Sequence, residues 1–341
     1  MHKLDRGVSS QPSGAYGEHM TTLGIDVSKR DFHAVLLNDD KTAKKSFPNS
    51  TKGFEQLETW LHNRKVDKIV ACMEATGAYW YALAKFLFNG GHSVAVINPR
   101  RIKAFAESEL LRTKTDAVDA GLIARFAASQ QLKFWTPLAP EIEELQGLYR
   151  HLEFLKESHT QHVTREQTPD LPDRVRQSAQ TIIKQLEVQI DELEQAIREH
   201  IDRHPGLKSK HNLLTSIPGI GDKSATAILS EMPTIEEFRS SGAVAAYAGL
   251  SPLIRQSGSS VRAKPRLCKT GNARLRKALY FPAIVGEKYN PTLKAFGRRL
   301  RAAGKATMVV IGAIMRKLLV IAYGVLKSGK PFDPSVHAAA A

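Results

Sequence analysis

The sequence predicts an α/β domain with a mixed sheet and flanking helices, then a coiled-coil helical linker, then a mainly helical C-terminal domain. Three observations carry this. Between residues 21 and 136, short β-branched runs give the order strand, strand, strand, helix, strand, helix, strand, helix, which favours a mixed sheet covered on both faces. Between 141 and 205 the pattern changes to long, charged helices, with Pro137 and Pro140 at the boundary. Beyond 208, the segment LLTSIPGIGDKSATAILSEM reads as two helices joined by a glycine turn. The domains follow as 21–136, 137–207 and 208–330, with a tail over 331–341. Residues 1–20 carry no apolar core and read as a flexible leader or expression remnant, with Met20 a candidate start.

Each element has its own reason. Residues 21–28 alternate into a strand ending at Asp26, DFHAVLLN forms a second and KKSFPN a short third. GFEQLETWLHNR is an amphipathic helix with Phe54, Leu57 and Leu61 on one face. KIVACME is a continuous apolar run, the pattern of a strand buried on both sides. AYWYALAKFLFNGG is a helix closed by Gly90 and Gly91, and HSVAVINP is a fifth strand stopped by Pro99. In the linker, EIEELQGLYRHLEFLKESHTQHVTRE is a polar-rich helix that PDLP (Pro169, Pro172) ends. The next helix carries Ala179, Ile183, Leu186, Ile190, Leu193 and Ile197 at alternating spacings of four and three, a heptad seam. At ~1.5 Å per residue over ~25 residues it spans nearly 40 Å. Because the seam is narrow, it is expected to pair between subunits in preference to an intrachain hairpin.

Composition narrows the partners. The 341 residues carry 49 Lys or Arg against 34 Asp or Glu, a formal net charge of +15, which points to a polyanion, nucleic acid before membrane. Two distant cysteines, Cys72 and Cys268, make neither a zinc pattern nor a disulfide framework, so a reducing cytoplasmic setting is expected. No stretch reaches the ~18 uninterrupted apolar residues of a membrane span. ATMVVIGAIMRKLLVIAYGVL, broken by Arg316 and Lys317, reads as a buried helix.

Four carboxylates organise the first domain. Asp26 and Glu74 stand where predicted strands end, and Asp116 and Asp119 lie three apart in TDAVDAGLIARFAA, on one face of a predicted helix. Brought together without a cation, they would repel and raise one another's pKa. Mg²⁺ removes that conflict, since it prefers oxygen ligands and accepts carboxylates together with substrate phosphate oxygens. Two such ions roughly 4 Å apart would clamp the attacking and leaving oxygens of a phosphoryl transfer. Lys114, just before the helical pair, is a candidate phosphate contact. The element order and the acid positions together resemble the ribonuclease H or RuvC-like fold, which places acids on its first and fourth strands and on a late helix.

The C-terminal domain holds further candidates. IPGIG resembles a helix-hairpin-helix, in which Gly219 and Gly221 would let backbone N–H groups approach a DNA phosphate. From Arg255 to Lys305 there are 14 Lys or Arg and one acid, Glu287, the footprint of a phosphate-binding surface. Arg255, Arg262, Lys264, Arg266, Lys269, Arg274, Arg276 and Lys277 are its candidate contacts. Within it, QSGSS places Ser257 beside Gly258, with Ser259 and Ser260 as competitors for a nucleophilic role.

GIDVSK, MEATG, INPRRIKAFA, KTDAVDA, SIPGIG, AYAGLSP with its QSG loop, and KTGNARLRKAL together resemble the DEDD insertion-sequence transposases of the IS110 family, with Piv-type DNA invertases as relatives, over about residues 21–328. The resemblance implies a RuvC-like catalytic domain holding Asp26, Glu74, Asp116 and Asp119, and a C-terminal transposase domain with a required serine, best matched by Ser257. It also implies a homotetramer built from dimers, target and donor DNA as substrates, and a structured non-coding bridge RNA. The expected function is Mg²⁺-dependent strand cleavage, exchange and rejoining through a phosphoserine. Two alternatives stand beside it. One is a RuvC-like nuclease or junction resolvase, in which metal-activated water attacks; the other is a non-catalytic nucleic-acid-binding protein, which intact acids disfavour.

Overall fold

The computed structural model describes residues 21–335 except 39–40, 110–115, 233, 254–255, 258–260 and 263–265, and leaves out the side chains of 116–118, 256–257 and 261–262. The leader (1–20) and the end of the tail (336–341) lie outside the described residues. The chain divides into two compact units, one running to Pro137 and the other from Leu138.

The first unit runs β1 (Thr22–Val27), β2 (Asp31–Asn38), β3 (Lys41–Pro48), α1 (Thr51–His62), β4 (Val70–Glu74), α2 (Trp80–Asn89), β5 (Ser93–Ile97), α3 (Pro99–Ser108) and α4 (Asp116–Ser129). The sheet order is β3-β2-β1-β4-β5, with β1–β2 and β2–β3 antiparallel and β1–β4 and β4–β5 parallel, the mixed sheet expected. Alternation along β1 decides what each face does. Leu23, Ile25 and Val27 join Phe32, Phe47, Ala71 and Met73 under Phe54, Leu57 and Leu61 of α1 and Leu83 and Leu87 of α2. Gly24 and Asp26 point the other way, toward the face where Cys72, Ala95 and Ile97 pack against Ile102 of α3 and Leu122, Ile123 and Phe126 of α4. Local capping starts the helices where the sequence says: the Ser50 side chain accepts from the Gly53 N–H, and Asn98 accepts from Arg100 ahead of Pro99.

The second unit contains α5 (Pro140–Glu166), α6 (Asp173–Arg203), α7 (Pro205–Thr215), α8 (Asp222–Glu231), α9 (Ser241–Tyr247), four two-residue strands β6 (Pro252–Leu253), β7 (Gln256–Ser257), β8 (Val261–Arg262) and β9 (Arg266–Leu267), then α10 (Ala273–Ala278), α11 (Tyr280–Tyr289), α12 (Pro291–Ala302) and α13 (Thr307–Ser328). Helix α13 is the one described helix long and apolar enough to cross a membrane, but 67% of its apolar window is buried inside the unit, as expected for a core helix. Val310, Ile314, Leu318 and Ala322 pack there with Leu145 and Leu152 of α5, Ile197 and Ile201 of α6 and Ile228 of α8.

The linker helices depart from the sequence reading. The seam on α6 was expected to wait for another subunit, yet α5 runs antiparallel along it within the chain, with Lys156 bonded to Glu194 at 2.8 Å and His159 to Glu187 at 3.3 Å. The reason is that α5, polar-rich in composition, still presents Leu145, Tyr149, Leu152 and Leu155 on one face. Burial disfavours ionisation of Glu194, but hydrogen bonds from Lys156 and Lys223 outweigh it and hold the carboxyl below its ordinary range.

Candidate active site

The two strand acids meet by register. β1 and β4 are parallel and their pairing ends at Ile25 with Met73, so Asp26 and Glu74 are the next residues on adjoining strands. Both are half-buried and both lie on the face that α4 covers. Gly24 is what lets α4 come so near. A Cβ there would sit 2.7 Å from the Ala124 Cα, and closer still to the Ala120 carbonyl oxygen and the Ala124 nitrogen. Half-buried Asp119 directly precedes Ala120, and Asp116 starts α4 one turn before it. The side chain of Asp116 and all of Lys114 lie outside the described residues. Among the described residues no three His, Cys, Asp or Glu side chains stand close enough to hold a metal ion. The donor chemistry nonetheless suits a hard cation, because every candidate is a carboxylate. Cys72, two residues before Glu74 on the same strand face, does not compete as a thiolate: burial pushes its thiol up to about 12, against the opposing pull of Arg101. Sequence reading missed His33, which pairs with Asp26 across the β1–β2 ladder on the same face. The alternation of β2 was the available signal.

The serine segment is a β-hairpin. Pro252 pairs with Leu267, Leu253 with Arg266, Gln256 with Arg262 and Ser257 with Val261. Its legs continue downward through backbone bonds from Cys268 N to Ser251 O (2.9 Å), Lys269 N to Gly249 O (3.1 Å) and Asn272 N to Tyr247 O (2.6 Å). Ser257 therefore occupies the last described rung. Its side chain, with that of Arg262 and all of Arg255, Ser259, Ser260 and Lys264, lies outside the described residues.

Beneath the hairpin is an acid that sequence reading passed over. Glu231, at the end of α8, is fully buried. Its carboxylate accepts from Arg150 of α5 (Nε at 2.9 Å and Nη2 at 3.2 Å) and from the Asn272 amide at 2.8 Å. Its backbone carbonyl, one of the unpaired groups at a helix C-terminus, accepts from the Tyr247 hydroxyl at 3.0 Å and from Asn272 at 3.2 Å. Burial first, then the nearby carboxylates, holds the Tyr247 hydroxyl protonated above its ordinary range despite a hydrogen bond from Asn272. The one sequence hint was an acid inside the apolar run AILSEM.

The basic candidates divide. Arg266, Lys269 and Arg274 are exposed. Arg276 instead donates to the Ala248 carbonyl at 2.9 Å, and Lys277 bonds Glu157 at 3.0 Å and Glu153 at 3.1 Å, which raises its pKa against a smaller effect of burial. Arg276 thus has a partner within the fold, whereas Lys277 stays exposed beside its two carboxylates. Gly219 also has a packing reason: at φ 107° its Cβ would lie 2.6 Å from the Gly286 Cα of α11. Gly221 is open at its Cβ position and caps α8 beside a cavity of about 880 Å³ shared with Lys156 and Lys223.

Comparison with known proteins extends over most of the chain. Residues 23–168 match the DEDD transposases of IS110 type, and residues 211–298 match the transposase IS116/IS110/IS902 family. The pilin gene-inverting protein of Moraxella lacunata is 34% identical over 321 residues, covering 93% of this chain and 99% of that protein. Its counterpart in Moraxella bovis is 33% identical over the same shares. The transposase for insertion sequence element IS1328 of Yersinia enterocolitica is 24% identical over 350 residues, covering 92% of this chain and 99% of that protein.

Proposed function

The chain belongs to the IS110 family of DEDD transposases and is related to the pilin gene-inverting proteins, and from that premise we propose that it exchanges DNA strands through a covalent intermediate on Ser257. It is an enzyme acting on DNA, a transposase or recombinase, and the DEDD family carries a general dependence on a divalent metal. The observation that carries the phosphoryl-transfer reading is the register that sets Asp26 and Glu74 side by side on the face covered by α4. Asp26, Glu74, Asp116 and Asp119 would hold Mg²⁺ there, two ions in this reading. When bound, the metal supplies Lewis-acid charge at phosphate oxygens.

The remaining chemistry belongs to the chain. The Ser257 hydroxyl attacks a DNA phosphorus; the Oγ–P bond forms and the bond from phosphorus to a 3′ or 5′ nucleotide oxygen breaks. The serine proton ends on the departing oxygen, which leaves as a hydroxyl. Attack by the hydroxyl of another strand reverses the step, restores a phosphodiester and frees the serine, so no ATP is required. Three features support the serine: its hairpin setting, the absence of tyrosine between Ser251 and Leu279, and the flanking Arg255 and Arg262, suited to charge on the transferring phosphoryl group. Exposed Arg266, Lys269, Arg274 and Lys277, with Gly221 at the α8 N-terminus, serve as phosphate contacts; Gly219 and Arg276 support them from within the fold. The same reading includes a structured guide RNA, a homotetramer and action on bacterial DNA in the cytoplasm.

The deciding experiment traps wild-type protein on a nicked duplex with Mg²⁺ and maps any denaturation-resistant adduct by peptide mass. Modification at Ser257, lost in Ser257→Ala with DNA binding retained, is the expected result. An adduct that survives in Ser257→Ala moves the role to Ser259 or Ser260. Cleavage with no adduct assigns the attack to water at the acid set.

A further inference from the structure

The Glu231 cluster has no place among the acids or the serine, yet a buried carboxylate is costly unless fully paired. Its partners show what it holds. Arg150 comes from α5, Tyr247 ends α9, and Asn272 begins α10. Tyr247 and Asn272 are also the two feet of the serine hairpin, joined by their own backbone bond. The amide of Asn272 reaches Glu231 while its side-chain oxygen accepts from the Leu275 N–H at 3.0 Å, so one residue ties the acid, the hairpin and α10 together.

The feet have no slack. Gly249 adopts φ 67°, and a Cβ there would lie 2.6 Å from Arg276 Nη1 and 3.0 Å from the Lys269 carbonyl carbon. A Cβ on Gly271, at φ 147°, would lie 2.6 Å from the Gly249 nitrogen and closer still to the Tyr247 carbonyl oxygen. From this base the described pairings are those at Ser251, Pro252 and Leu253 and, with the register changed by one residue, those at Gln256 and Ser257. Ser257 lies on the leg that starts at Tyr247, so the direction set at the base bears on where the serine stands. A misplacement of about 1 Å at a reacting group costs on the order of a hundredfold in rate.

We propose that Glu231 is a positioning residue for strand exchange: through Asn272 and Tyr247 it sets the direction of the hairpin and so the approach of the Ser257 hydroxyl to the scissile phosphate. The inference rests on the serine reading above. Its test uses the full-length chain with Asn272→Ser, which keeps a capping hydroxyl for α10 but is too short to reach Glu231. The readouts are the single-turnover rate of serine adduct formation on a nicked duplex at saturating DNA, the half-saturating DNA concentration, and the melting temperature. The rate should fall at least tenfold, with half-saturation within twofold of wild type. Tyr247→Phe, which keeps its ring against Phe238 and loses the hydroxyl's bond to the Glu231 carbonyl and the longer one from Asn272, should give a smaller loss of about threefold in the same direction. It decides the matter if Asn272→Ser does not fold. Wild-type adduct rates in the folded variants, with only a lower melting temperature, would make the cluster purely structural and overturn the proposal. Wild-type protein that forms no serine adduct overturns the serine reading, and this inference with it.

Discussion

Gly24→Ala tests whether close packing of α4 on β1 is what assembles the acid site. The added methyl would point at backbone, which cannot rotate away. Moving the Ala124 Cα from 2.7 Å out to the 3.4 Å of ordinary contact needs about 0.7 Å, and the nearer Ala120 oxygen and Ala124 nitrogen require more. Helix α4 must therefore lift from the sheet by about 1 Å, carrying Asp116 and Asp119 away from Asp26 and Glu74. Overpacking of this kind costs about 1–3 kcal/mol. A 1 Å displacement of catalytic groups costs on the order of a hundredfold in rate. Thermal unfolding should show a melting temperature lower by several degrees. Single-turnover cleavage of a labelled duplex should fall about a hundredfold, while DNA affinity, which rests on basic residues elsewhere, should stay within about twofold. A variant that melts and cleaves like wild type would refute both the tight packing at Gly24 and the role given to α4.

Asp26→Asn and Asp119→Asn should each abolish strand cleavage while leaving DNA binding intact; full cleavage by wild type in the presence of a chelator would remove the metal from the scheme. Replacing Arg266, Lys269 and Arg274 together by Gln, Asn and Gln should lower the log–log salt slope of duplex binding by up to about 2.7, at about 0.9 per phosphate contact, measured by fluorescence anisotropy across a salt series. An unchanged slope would place these three away from DNA. Cys72 should be unreactive toward thiol reagents at pH 8 until the protein unfolds. Its folded pKa, about 12, lies above its ordinary 9.0, so its contribution to stability is complete below pH 9 and is lost as pH rises toward 12. The melting temperature of wild type should therefore drop more steeply than that of Cys72→Ala between pH 9 and 10.5, at up to about 1.4 kcal/mol per pH unit; parallel curves would contradict the buried, protonated thiol.

Much of the first unit was legible in the chain. Strand alternation and helical periodicity repeat every few residues, so Leu23, Ile25 and Val27 declare one face of β1, and Asp26 its exit, without reference to anything distant. Ser257 was singled out on the same local grounds, a glycine and arginines within a few positions. Other features depended on residues far apart in sequence. Arg150, Glu231 and Asn272 converge only after α5, α8 and α10 have packed, and nothing near Glu231 in the sequence names its partners. Helix α5 proved to be the partner of α6 because four apolar residues on one face outweigh a polar average. Arg276 and Lys277 look like phosphate contacts in a basic run, but the fold brings the Ala248 carbonyl, Glu153 and Glu157 within their reach. Local patterns specify which way a side chain faces, since backbone geometry alone imposes those periods. Which group it meets depends on long-range packing, and that decided which charges, glycines and apolar stripes find partners within the protein.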